Sequence, residues 1–141
     1  MPDSSDIDNG LVAKLGSDTT LLANMMHGVY MDEAVEGATR YVIVTVIEDT
    51  DVYTFGRKEY EDIVYLVEPR AMAGSGGDVK AAAARIETIL QDQPLTVTGY
   101  TWMTTFRQGR PGEPREVRDA ANPNVRWQRR GAFYRVQMSL V

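Results

Sequence analysis

The sequence predicts an α+β fold: a mostly antiparallel sheet of about four to five strands with helices packed on one face. Three observations predict it. A dense β-branched run, Tyr41–Ile47, is followed by further strand-like runs separated by turn residues. One Ala-rich helical stripe, Asp78 to Leu90, stands alone among them. The order α, β, β, β, α, β, β contains no repeating βαβ series, which argues against a parallel doubly wound sheet. At 141 residues the chain is expected to form one domain spanning 1–141.

Taken in order, the chain opens with a helix. Ser4, Ser5 and Asp6 offer N-cap oxygens, and Ile7, Leu11, Val12 and Leu15 recur at helical spacing up to Gly16. Ser17 and Asp18 cap a second helical piece with Leu21, Leu22, Met25 and Met26, closed by Gly28. Tyr41–Ile47 reads as a central strand buried on both faces. Asp49-Thr50-Asp51 reads as a turn, and Val52–Phe55 as a short strand closing at Gly56. Tyr60 to Glu68 alternates, with Ile63, Tyr65 and Val67 on one face, and Pro69 is expected to stop it.

Residues 70–77 are expected to be a loop, and Asp78 to cap the helix that carries Val79, Ala82, Ala83, Ile86, Ile89 and Leu90. Leu95 to Phe106 is a strand with Tyr100 and Trp102. The Gly/Pro-rich stretch 107–115 reads as a hairpin tip or a mobile loop, and Val125 to Leu140 as one long final strand. In that strand Ala132, Tyr134, Val136, Met138 and Leu140 alternate with Phe133, Arg135, Gln137 and Ser139, placing one face on a core.

Composition excludes several function classes. There is no cysteine, so a disulfide scaffold, a Cys-ligated zinc site and thiol chemistry are out. The one histidine, His27, cannot build a His-rich metal centre, and beside Gly28 it reads as a cation meeting a helix C-terminus. No cofactor is expected. The N-terminus is acidic, unlike a signal or transit peptide, and no apolar run approaches the ~20 residues a spanning helix needs, so no membrane partner is expected.

The net charge of −5 hides a split: residues 1–68 carry fourteen acidic against four basic residues, and 69–141 carry six against eleven. Twelve of the fifteen basic residues are Arg, which forks carboxylates bidentately and suits interfaces, and the two halves can pair either within one fold or between subunits.

Two motifs fail as chemistry. Gly74–Lys80 precedes a helix but lacks the Lys-Ser/Thr pair of a phosphate loop and puts Asp78 where the anion would sit. Glu48–Asp51 lacks calcium-loop spacing and does not set two carboxylates across a cleft. A third constellation points to an interface. Arg107, Arg110, Arg126, Arg129, Arg130 and Arg135, with Trp102, Trp127 and Tyr134, combine the residue types that anchor contacts. The acidic whole, and Glu113, Glu116 and Asp119 among the arginines, favour protein over single-stranded nucleic acid as the partner.

The order of these features resembles the tail-completion, or tail-terminator, proteins of long-tailed bacteriophages. The resemblance runs from about Ile7 to Leu140. It rests on the opening helix with Leu11 and Leu15, Thr20–Ala23 before Gly28-Val29-Tyr30, the strands at Tyr41–Val44 and Val64–Val67, the Ala-rich helix, and Trp127–Arg135. Glu36–Thr39 stands where the family often has a Pro-containing approach to the first long strand.

The resemblance implies a structural virion protein without an active site, placed in the tail or neck region of the virion and in the host cytoplasm during assembly. It implies a homo-hexameric ring on the head-proximal end of the tail tube, touching the tube protein and the head-side connector, with DNA passing through the lumen unread. The acidic and Arg-rich halves suit head-to-tail contacts, which close into a ring when the rotation permits. An acidic lumen would repel the phosphate backbone. Two alternatives stay open: a head-closure or neck protein, and a small host α+β ligand-binding or enzymatic domain.

Overall fold

A computed structural model describes residues 3–72, 76–112, 116–118 and 126–140. Helix α1, Ser4–Gly16, is capped by Asp3. Its carboxylate accepts from the Ser5 amide at 2.8 Å, while Asp6 accepts from the Asp3 amide at 3.0 Å and closes a capping box. The cap thus lies one residue ahead of the Ser4–Asp6 group. The four-residue spacing of Ile7, Leu11 and Leu15 lines them on one fully buried stripe.

Asp18 caps α2, Thr19–Asn24, accepting from the Leu21 amide at 2.8 Å. The same carboxylate receives Arg85 through Nε at 3.0 Å and Nη2 at 2.7 Å, tying α2 to α3, Gly76–Leu90. The Arg85 guanidinium holds the Asp18 carboxyl below the usual range. Asp78 lies inside the first turn of α3, not at its cap, and pairs with Arg40 at 2.7 Å.

Among the described residues the sheet has seven strands: β1 (Val29–Met31), β2 (Arg40–Thr54), β3 (Arg57–Met72), β4 (Tyr100–Gly109), β5 (Glu116–Arg118), β6 (Arg126–Arg129) and β7 (Ala132–Leu140). All pairings are antiparallel except β1 with β2. The α+β class is the expected one. The strands beyond the expected four to five are three- and four-residue pieces, too short to show alternation.

Strand β2 pairs with one side of β3. On the other side β7 pairs with Tyr60–Val67 and β6 with Arg70–Met72. All three helices add buried residues to a single cluster with Val42, Val44, Ile63, Tyr65, Val67, Tyr134, Val136 and Met138, so they cover one face of the sheet. Within that cluster the Tyr65 hydroxyl donates to Asp8 at 2.5 Å, and burial raises the Asp8 carboxyl.

Four boundaries differ from expectation. Asp49-Thr50-Asp51 is not a turn: β2 runs through it past an irregularity at Ile47, and the reversal comes at Phe55-Gly56. Pro69 does not stop β3, which continues to Met72, so the expected loop over 70–77 is strand, then the undescribed 73–75, then helix. Arg130 donates to the Pro69 carbonyl at 3.3 Å, so the edge where Pro lacks its N–H faces the β6–β7 side. The ladder breaks opposite it, which splits the expected single strand over 125–140 at Arg130-Gly131; Val125 lies outside the described residues. Leu95 and Val97 are buried but make no ladder, so β4 begins only at Tyr100.

Gly131 sits where a side chain has no room. A Cβ there would lie 2.8 Å from Glu68 Oε2 and 3.0 Å from Leu66 Cδ1. Glu68 cannot swing away, because it is 2% exposed and holds Arg70 Nε at 2.6 Å. Gly131→Ala is expected to cost about 1–3 kcal/mol, read as a lower denaturant midpoint with an unchanged slope.

Candidate functional site

No helix covers the opposite face of the sheet among the described residues, although Ile43 and Glu68 on it are only 4% and 2% exposed. The register assigns its members: Tyr30 on β1, Tyr41 and Ile43 on β2, Leu66, Glu68, Arg70 and Met72 on β3, Phe133 and Arg135 on β7, Trp127 and Arg129 on β6. Tyr41 pairs with Arg70 and Arg70 with Arg129, so these three form one cross-strand row. Trp127 pairs with Met72 in the adjoining row and meets Tyr41 edge-on, ring centroids 5.8 Å apart. Tyr41 in turn meets Tyr30 at 6.3 Å. Tyr41, Arg70, Trp127 and Arg129 line an open cleft of about 350 Å³. Two guanidinium groups beside two aromatic rings can take an apolar or aromatic group together with a carboxylate.

The nine expected interface residues do not form one patch. Trp127 and Arg129 share this cleft, and Arg126 is exposed at the start of β6. Arg135 stands on the same face but is paired with Asp62 at 2.5 Å. Arg130 is half-buried at the β6–β7 break. Arg107 belongs to the helix-facing side, pairing with Glu87 of α3 at 3.1 Å, and Arg110 donates to the Gly131 carbonyl at 3.4 Å. Trp102 also points to the helix side, its indole N–H donating to Thr105 Oγ1 at 2.8 Å. Tyr134 is 1% exposed and belongs to the core, where burial pushes its hydroxyl up to about 12.

Of the 107–115 stretch, Arg107–Gly109 closes β4, and 113–115 lie outside the described residues.

His27 does not cap a helix, because α2 ends at Asn24. Its Nδ1 instead accepts the backbone N–H groups of Thr39 (3.2 Å) and Arg40 (3.1 Å). Among the described residues no group of three or more His, Cys, Asp or Glu is placed to hold a metal ion. No described helix is long and apolar enough to cross a membrane.

The opposite end of the β2–β3 hairpin carries a second feature. Phe55 and Gly56 both have positive φ, 54° and 78°, which makes a two-residue turn of type I′. Phe55 at its tip is 102% exposed and Tyr53 beside it 61%. The sequence reading did not single out Tyr41, Arg70 or Phe55. The signal for Phe55 was present, since an X-Gly pair between two β-rich runs marks a hairpin tip. Arg70 was hidden by the expectation that Pro69 ends the strand.

No family model matches this sequence, and no curated protein matches it. Its fold is shared with a chain of a solved particle, "Virion of native gene transfer agent (GTA) particle". The TM-score is 0.76 and the identity 17%, with 96% of each chain covered. At that identity the likeness establishes the fold, and it does so end to end.

Proposed function

We propose that this chain is a structural component of a phage-like virion, and within it the tail terminator. In this reading it closes as a ring, a hexamer, on the head-proximal end of the tail tube. It halts tube growth and presents a surface to the head-side connector while DNA passes through the lumen. The observation that carries the reading is the whole-length likeness to a chain of the gene transfer agent virion. The open Arg and aromatic sheet face adds a surface suited to protein contact, and the chain's work is docking, not catalysis.

Removing the gene from a particle-producing genome tests the position. A terminator's loss leaves tubes of uncontrolled length without heads. Tubes of normal, uniform length that fail only to join heads would assign the chain to head closure instead.

Charge reversal at Arg129 or Arg130 supplies a second test, with Arg129→Glu the sharper because Arg129 lines the cleft. It is expected to lower particle yield at least tenfold while moving stability by no more than about 1 kcal/mol. Normal particles carrying the variant would remove Arg129 from the interface.

A further inference from the structure

We infer that copies of this chain join head to tail by one specific contact: the β2–β3 hairpin tip of one copy, led by Phe55, seats in the Tyr41–Arg70–Trp127–Arg129 cleft of the next. The inference deepens the ring reading by naming its joint.

Three observations carry it. The first is the tip itself. A type I′ turn favours Asn or Gly at its first position, since a Cβ at positive φ is strained. Here that position holds Phe at φ 54°, with its ring wholly in solvent. Neither turn geometry nor the monomer's packing calls for an aromatic there. A partner pocket does.

The second is complementarity. The hairpin segment 47–62 carries six carboxylates, Glu48, Asp49, Asp51, Glu59, Glu61 and Asp62, against Arg57 and Lys58. Glu48, Asp49, Asp51 and Glu59 are exposed. The cleft offers two aromatic rings for Phe55 and, at its wall, Arg70 and Arg129 for the acids nearest the tip, Asp51 and Glu59; Asp51 already pairs with Lys58, and Glu48 and Asp49 stand seven and six residues back from Phe55. Arg70 already pairs with Glu68, but a guanidinium has five donors and can serve a second carboxylate.

The third is placement. Tip and cleft stand at opposite ends of one hairpin: Tyr41 opens β2 and Tyr53 nearly closes it. Twelve residues at roughly 3.3 Å each separate them by about 40 Å of paired strand. A hairpin cannot fold back into its own base, so the contact is between molecules. Because the two surfaces differ, it is heterologous and propagates until it closes.

The chain has no cysteine, so engineered thiols report only the chosen contact. Tyr53→Cys and Met72→Cys in one chain place a thiol beside the tip and another beside the cleft, leaving Phe55, Trp127 and Arg129 intact. Treated with a short bismaleimide, concentrated protein and assembled particles are expected to give a ladder of covalent multimers, at least tenfold stronger than either single variant. Adding Phe55→Asn keeps the turn, because Asn tolerates positive φ, and is expected to abolish the ladder.

No ladder in either preparation, or a ladder that survives Phe55→Asn, overturns the contact. A ladder from purified protein, with the chain itself missing from virions, would keep the contact and reject the virion reading. A chain present in virions that gives no ladder there would reject the contact and leave its place in the virion to the gene-removal test.

Discussion

Tyr134→Ala is expected to destabilise the protein by about 4 kcal/mol, the scale measured when large buried aromatics are truncated. Tyr134 is 1% exposed and sits between Tyr65 on β3 and Arg107 on β4, within the cluster shared by the helices. Its ring fills volume that no neighbouring backbone can close. For a chain of this size the thermal midpoint should fall by roughly 12–16 °C. Trp127→Ala makes the contrast. Trp127 is half-buried on the open face with an edge contact to Tyr41, so its loss should cost only about 1 kcal/mol. Thermal melts of the two variants, set beside particle yield, separate core from interface. Tyr134→Ala should fail at folding, and Trp127→Ala should fold and fail at assembly. Equal midpoints would show that Tyr134 contributes no more to the core than Trp127 does to the open face.

Lys58→Met is expected to cost about 3 kcal/mol. Glu61 is 2% exposed, on the helix-facing side of β3, and its carboxylate is paired with Lys58. Lys58 also reaches Asp51 at 2.9 Å, across the hairpin. These hydrogen bonds raise the Lys58 ammonium well above its ordinary value, the Glu61 bond contributing most. Removing the cation leaves a buried carboxylate beside the Tyr100 hydroxyl, which burial and that same charge already push up to about 12. An uncompensated buried charge is among the larger single-site penalties; Lys58 is partly exposed, which sets the expectation at the low end of that range. Lys58→Met with Glu61→Gln should recover most of the loss in chemical denaturation. If the double variant is as unstable as the single, the penalty comes from packing and not from charge.

Much of the fold was legible because it follows from short-range rules. Ile7, Leu11 and Leu15 at helical spacing, and Ala132, Tyr134, Val136 and Met138 at strand spacing, each name the buried face of their own element. The misreadings share a cause as well. Asp49–Asp51 looks like a turn and Pro69 like a stop, because both judgements weigh local preference alone. In the sheet, β3 pairs along the whole of 48–54, which holds Asp49–Asp51 extended. Pro69 is tolerated where the partner strand of β3 changes from β7 to β6 and the ladder is interrupted. The interface residues suffered in the same way. Nine Arg and aromatic positions were gathered by composition, yet pairing sends Arg107, Trp102 and Tyr134 to the helix side and Trp127 and Arg129 to the open face.

The sequence by itself determined the class of the fold, the identity of the core stripes, the absence of thiol chemistry and the opposition of an acidic first half to an Arg-rich second half. These are properties of residue type and spacing, which need no partner in space. Only the tertiary structure decided that Tyr41, Arg70 and Arg129 stand in one row and that Phe55 projects from the far end of the same hairpin. Strand register joins residues tens of positions apart, and shifting it by one residue exchanges the two faces of a sheet.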